Sequence, residues 1–210
     1  MILLGHRGAR TSSLIPENTL ESFERCVEHG CDGFEFDVRR SADGVAVICH
    51  DPEVRGLQIE STPAGQLALP LLEEVLGGFS TRAFLDIELK VAGLEKQLAA
   101  ALRAHPPTKG YVVSSFLPVA LKAVSELDPR IPLGFLYERE DQIAPMELPV
   151  AWTIPHFTLV SRALIERAHA AGSKIMTWTV NRADDMRRFA DWGVDSIISD
   201  DTELLVRTFR

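Results

Sequence analysis

The residues of this chain best suited to chemistry begin at its start. Gly5-His6-Arg7-Gly8 is followed by Glu35-Phe36-Asp37, and a second histidine stands in His50-Asp51-Pro52. An imidazole titrates near pH ~6.5, so His6 and His50 can each take or give a proton at neutral pH, in either order. Alternate residues of a strand share a face, which sets Glu35 and Asp37 together and turns Phe34 and Phe36 the other way. Two inward carboxylates repel unless a cation lies between them, and a metal is the simplest resolution.

A third acid ends another apolar run, Phe84-Leu85-Asp86-Ile87-Glu88-Leu89-Lys90, where Asp86, Glu88 and Lys90 share a face. With only oxygen ligands on offer from Glu35, Asp37 and Glu88, Mg2+ or Ca2+ is expected rather than zinc, with Mn2+ also possible. These three acids, a divalent ion and the cations Arg7 and Lys90 leave one residual positive charge, which suits a monoanionic phosphodiester. Arg7 and Lys90 could hold its non-bridging oxygens. Plainer readings exist: Lys90 as a charge at a helix start, Arg7 as a partner for Glu17. His29, His105, His156 and His169 are assigned no chemistry. The functional reading rests on every member falling at or beside the carboxyl end of an expected strand.

The elements that must position these residues follow from the rest of the chain. Its 210 residues, 46% hydrophobic and 25% charged, fit one globular domain over 1–210. The net charge of -8 and the lack of a basic cluster argue against nucleic acid as a partner. There is no signal-peptide core and no run of about 18 apolar residues, so neither stable membrane insertion nor export is expected, and the default location is cytoplasmic. Cys26, Cys31 and Cys49 are odd in number and lack Cys-x-x-Cys spacing, so they read as small apolar residues.

Short runs rich in Val, Ile and Phe predict strands at 2–6, 33–37, 84–89, 111–115, 132–136, 151–155, 174–179 and 195–199. Helical periodicity predicts helices at 17–29, 70–77, 93–104, 118–127, 160–171, 183–191 and 201–208. Asn18 is expected as the first N-cap, with Glu21 three residues on and a stop at Gly30. This alternation favours a compact (β/α)8 TIM barrel over an open doubly wound sheet. Asp43-Gly44 signals a hairpin that would return 45–49 antiparallel and bring His50 opposite Asp37. The competing reading makes 45–49 a barrel strand in place of a later one. Residues 138–149 read as an irregular connection.

The pattern His6-Arg7-Gly8, Pro16-Glu17-Asn18-Thr19-Leu20, Glu35-x-Asp37-Val38, Asp43-Gly44, His50-Asp51 and Glu88-x-Lys90 resembles the glycerophosphodiester phosphodiesterase family. The resemblance continues through Ser115-Phe116, Trp178-Thr179-Val180-Asn181 and Gly193 to Asp200. It implies a TIM barrel that cleaves a glycerophosphodiester to glycerol 3-phosphate and an alcohol. It also implies a divalent metal at Glu35, Asp37 and Glu88, proton transfer by His6 and His50, and phosphate contacts from Arg7 and Lys90. Trp178 matches an aromatic beside the glycerol moiety. Glu17, Asp86 and Asn181 are expected around the site.

Two departures stand out. Residues 51–69 hold only Glu53-Val54-Arg55-Gly56 and an irregular stretch where such proteins carry a small insertion, and Asp200-Asp201-Thr202 lacks the usual proline. The leading expectation is hydrolysis of a small-molecule glycerophosphodiester. An enzyme of phospholipase D type acting on lysophospholipids would use Leu57, Ile59, Leu67 and Leu69 as an apolar rim. A non-catalytic phosphate-binding module would be expected to lack a ligand or a proton-transfer group.

Overall fold

The computed structural model describes residues 1–10, 15–142 and 148–210. Its strands are β1 (Ile2–His6), β2 (Gly33–Arg40), β3 (Ala46–Ile48), β4 (Glu53–Val54), β5 (Leu57–Gln58), β6 (Phe84–Leu89), β7 (Tyr111–Ser115), β8 (Leu133–Tyr137), β9 (Trp152–Pro155), β10 (Lys174–Thr177) and β11 (Ser196–Ser199). The helices are α1 (Leu20–Glu28), α2 (Ala64–Leu67), α3 (Leu72–Phe79), α4 (Glu95–Ala104), α5 (Pro118–Leu127), α6 (Arg162–Ala170), α7 (Ala183–Trp192) and α8 (Thr202–Phe209). Parallel pairing runs β1-β11-β10-β9-β8-β7-β6-β2, and β2 returns to β1, closing an eight-stranded TIM barrel. All eight expected strands are its staves.

Apolar residues fill two layers. Inside the barrel, Leu4, Phe84, Val112, Leu136, Trp152, Ile154, Met176 and Ile198 form one buried cluster. Outside it, the opposite faces of the staves pack against the helices. Phe34 and Phe36 lie here as expected. Phe23 of α1 stacks on Phe34 at 4.2 Å, and Phe79 of α3 meets Phe34 edge-on at 5.1 Å. Gly33 is required by closeness: a Cβ there would lie 1.8 Å from the carbonyl oxygen of Phe84. That leaves β2 free to pair along the full length of β6.

The register of the strands sets the site. Asp37 pairs with Glu88, Glu35 with Asp86, and His6 with Glu35. Beyond Asp37 the chain turns back at Asp43-Gly44, where Gly44 has φ +81°, and β3 runs antiparallel to β2. The Cys49 amide donates to the Asp37 carbonyl at 3.0 Å. The hairpin reading therefore holds, and 45–49 is not a barrel stave.

Three expectations change. Helix α1 begins at Leu20 with Thr19 as N-cap; Thr19 Oγ1 accepts from the Ser22 amide at 3.1 Å, and Ser22 Oγ accepts from the Thr19 amide at 3.2 Å. Asn18 is not the cap, because its side chain is committed to Asp37 and its backbone is left-handed at φ 56°. Residues 51–69 are more regular than expected: β4 and β5 form a small hairpin whose two turn residues, Arg55 and Gly56, have φ 51° and 77°, followed by a 3-10 turn and α2. Paired positive φ angles are the signature of a tight hairpin turn. Ile59 and Leu67 bury themselves beneath this segment with Val47. In the expected irregular stretch 138–149, Glu140–Gln142 form a 3-10 turn and residues 143–147 lie outside the described residues. Among the described residues, no helix is long and apolar enough to cross a membrane.

Candidate active site

In several staves the inward row of side chains is apolar at the bottom of the barrel and chemical at the top. Leu4 is followed by His6, Phe84 by Asp86, Glu88 and Lys90, Met176 by Trp178, and Ile198 by Asp200. The period-2 geometry of strands thus delivers these residues to the carboxyl-terminal mouth, where parallel barrels gather their active sites. A cavity of about 350 Å³ opens there, lined by His6, Arg7, Glu35, His50, Glu88, Lys90, Phe116, Leu136, Glu138, Trp178 and Ile198.

Glu35 and Glu88 of this lining and the neighbouring Asp37 bring ligand-capable oxygens within 4.8 Å of one another, all buried. Two of these buried oxygens, Glu35 Oε1 and Asp37 Oδ1, have no hydrogen-bond partner. Burial, then repulsion by Asp37 and Glu88, pushes Glu35 well above the usual carboxylate range. Burial and Asp37 push Glu88 up to about 7. Asp37 differs: burial pushes it up, but Lys90, the Asn18 hydrogen bond and Arg7 outweigh that and hold it below its ordinary value. Crowded, desolvated acids with orphaned oxygens fit a divalent cation with oxygen ligands.

Asp86 lies one layer deeper than Glu88. Ser114 Oγ donates to its Oδ1 at 2.6 Å, and burial raises it to about 7. The expected cations are present but already engaged. Lys90 Nζ lies 2.7 Å from Glu88 and 3.4 Å from Asp37. Arg7 Nη1 donates to Glu17 at 2.8 Å, and its Nε lies 3.3 Å from Asp37. The Arg7 backbone, left-handed at φ 57°, donates its N–H to Glu35 at 3.0 Å. Glu17 is thus held at the site by Arg7, and by Arg10 at 2.9 Å. The charge count from sequence omitted Glu17, Arg10 and Asp200; including them cancels the residual positive charge.

Each histidine presents one nitrogen to a carboxylate. His6 Nδ1 is 2.7 Å from Asp200 Oδ1, while its Nε2 lies 3.9 Å from Glu35. His50 Nδ1 is 2.7 Å from Asp51, and burial lowers its pKa, favouring the neutral ring. Asp200 is fixed in turn by Asn181 Nδ2 at 2.7 Å and Arg10 at 3.0 Å. Burial pushes Asp200 up, yet the His6 hydrogen bond and its other partners hold it at about 2. Asn181 therefore serves the His6 side of the site and not the acidic cluster.

Sequence reasoning missed the roles of Asp200, Arg10 and Asn18. Asp200 was legible by the same alternation that placed His6, being two residues beyond Ile198. Asn18 donates to Asp37 at 2.8 Å and accepts from the Asp37 amide at 3.2 Å, a role its cap-like context concealed.

Across the cavity Trp178 meets Phe116 edge-on at 5.5 Å. His156 packs on Trp178 at 5.1 Å, outside the cavity lining. Of the three leucines and one isoleucine proposed as an acyl-chain rim, Ile59 and Leu67 are buried, Leu69 packs against them, and Leu57 alone is exposed. The three cysteines are free thiols; burial raises Cys49, making it a poor nucleophile. In place of the missing proline, Asp201 caps α8 and Thr202 meets His29 at 2.7 Å, a structural substitution.

The model of the glycerophosphoryl diester phosphodiesterase family matches residues 6–107 and 84–204. The chain is 30% identical to a glycerophosphodiester phosphodiesterase of Caldanaerobacter subterraneus subsp. tengcongensis, covering 100% of this chain and 98% of that protein. That alignment spans 241 positions against 210 residues here, so this chain is gapped at no fewer than 31 of them, in keeping with its compactness. It is 25% identical to a Bacillus subtilis glycerophosphodiester phosphodiesterase, covering 97% of this chain and 85% of that one. Among solved structures, an Oleispira antarctica phosphodiesterase in complex with the product sn-glycerol-3-phosphate superposes with a TM-score of 0.86 at 26% identity, covering 99% and 96% of the two chains. Fold, clustered carboxylates and histidines, and full-length similarity converge, and the chain belongs to the glycerophosphoryl diester phosphodiesterase family.

Proposed function

We propose that this protein hydrolyses glycerophosphodiesters to glycerol 3-phosphate and an alcohol, using a divalent cation held by Glu35, Asp37 and Glu88. The observation that carries the reading is the trio of buried carboxylates within 4.8 Å, two of them with orphaned oxygens, set between His6 and His50. The relative bound to sn-glycerol-3-phosphate, with 26% identity over nearly the whole chain, supports the substrate class.

Mg2+ or Ca2+, with Mn2+ as a further option, would polarise the phosphoryl group and offset its negative charge when bound. The chain's own residues do the rest. His6, oriented through Nδ1 by Asp200, offers Nε2 to the cavity, and His50, oriented by Asp51, offers its own free nitrogen. One takes a proton from the attacking oxygen, that of water or of a substrate hydroxyl; the other gives a proton to the leaving oxygen as the phosphorus–oxygen bond breaks, and where the substrate hydroxyl attacks, water then opens the cyclic phosphate to glycerol 3-phosphate. Lys90 and Arg7 attract the non-bridging oxygens while remaining anchored by Glu88, Asp37 and Glu17. Trp178 and Phe116 give the glycerol moiety an apolar wall.

The test is release of glycerol 3-phosphate from glycerophosphocholine and glycerophosphoethanolamine, with Mg2+, Ca2+ or Mn2+ and with chelator. Metal-dependent turnover is expected. Absence of turnover for every diester under every metal would overturn the reading.

A further inference from the structure

A phosphodiester has two ester arms, and the cavity at the barrel mouth accounts for one. A second cavity, of about 430 Å³, opens between the approach to α1 and the segment from β3 to α3, and His50 is the residue that lines both. We propose that this second cavity receives the leaving alcohol and favours alcohols that carry a positive charge, an inference resting on the hydrolase reading above.

The geometry follows from the reaction. With phosphorus at the carboxylate cluster and glycerol against Trp178, the other arm must leave the cluster on a different side. His50 stands at the junction, its Nδ1 held by Asp51 at 2.7 Å. His50 in its protonated form, which the Asp51 hydrogen bond supports, gives that proton to the leaving oxygen as the phosphorus–oxygen bond breaks and releases the alcohol into the second cavity.

The lining gives the chemical class. Cys49, Val54 and Leu69 form an apolar floor backed by the buried Ile59 and Leu67, suited to methylene and methyl groups. Around it stand the carboxylates of Glu17, Asp51 and Glu53, with Arg55 as the cation among the lining residues. Glu17 is already answered by Arg7 and Arg10, and Asp51 by His50. Glu53 spends one oxygen on the neutral amide of Gln58 at 2.7 Å and is matched by no cation among the described residues. Arg55 donates to the Leu67 carbonyl, at the edge of α2, and keeps its charge, so the lining sets three carboxylates against one guanidinium. An ammonium group on a short alkyl arm meets both features, whereas an anionic headgroup meets the carboxylates and the overall charge of -8.

The experiment compares kcat/KM for glycerophosphocholine and glycerophosphoethanolamine with that for the uncharged glycerophosphoglycerol, in the metal-loaded enzyme. A preference of about tenfold for the ammonium substrates is expected, carried mainly by KM. Glu53→Lys, at an exposed position that folding tolerates, should abolish or invert that preference, and Glu53→Gln should reduce it part of the way. Leu69→Trp should raise KM more for glycerophosphocholine than for the methyl ester of glycerol 3-phosphate, which leaves the cavity unfilled. Lysophosphatidylcholine carries the same ammonium on an acylated glycerol; poor turnover of it beside good turnover of glycerophosphocholine assigns the preference to the water-soluble diesters. A ratio that is the same in wild type and Glu53→Lys overturns the subsite while leaving the hydrolase intact. Loss of all diester hydrolysis in the wild type overturns both.

Discussion

The two halves of the barrel mouth are built on the same backbone plan and do different work. From β1, β2 and β6 come His6, Glu35, Asp37, Glu88 and Lys90, whose charges are buried and interlocked. From β7 to β11 come Phe116, Leu136, Trp178 and Ile198, an apolar wall with Glu138 at its rim, and Asp200 after β11 turns to His6 on the charged side. One half concentrates charge where burial magnifies every interaction; the other offers shape and a dry surface. The lesson is that a barrel assigns chemistry to strands individually, because each inward row ends independently at the mouth.

The comparison breaks most sharply on the charged half. Removing the cation with chelator should abolish phosphodiester turnover, and restoring Mg2+, Ca2+ or Mn2+ should recover it; full activity in chelator would remove the acidic cluster from the reaction. His6→Ala and His50→Ala should each lower kcat at least ~10²-fold with the metal still bound. Equal rates in wild type and both variants would defeat their roles. Asp200→Asn keeps the hydrogen bond's shape but removes the charge beside His6, and a fall of roughly tenfold or more in kcat is expected, with circular dichroism confirming the fold.

The apolar half should answer differently. Trp178→Ala should raise KM by about tenfold with a smaller change in kcat, since a lost aromatic contact of roughly 1.5 kcal/mol corresponds to that factor. A large kcat effect with unchanged KM would place Trp178 in the chemistry and blur the division.

The smallest effect concerns stability. Glu88 and Asp86 are raised to about 7 by burial. A carboxyl whose pKa is higher folded than unfolded favours the fold most at low pH, and that contribution is lost as pH rises from the unfolded value toward the folded one. Metal-free protein should therefore lose stability from these groups between about pH 4 and pH 7. Glu88→Gln should raise metal-free stability at pH 7 by about 1–3 kcal/mol while abolishing the stabilisation that added Mg2+ gives wild type. Thermal melts with and without metal, at pH 5 and pH 7, read this directly.

Much of the molecule was legible from local pattern. The strands were found because runs such as Leu133–Tyr137 are apolar on both faces, as staves buried on both sides tend to be. Glu35 and Asp37 were paired because alternation in a strand is fixed by backbone geometry. Asp43-Gly44 gave the hairpin because few residues accept its left-handed turn. Asn18 was misread because an Asn before a helix has two good uses, capping and reaching away, and the choice depends on an Asp 19 positions on.

By itself the sequence determined which residues face inward and that the rows of β1, β2 and β6 end in chemical groups, since period and turn chemistry are local. Only the tertiary structure decided which of those groups meet. Register set Asp37 beside Glu88, and closure of β1 onto β11 brought His6 to Asp200, 194 residues away. Alternation fixes a side chain's face but not its azimuth around the barrel, so contacts between distant strands, and the two cavities that meet at His50, arise only once the sheet is closed.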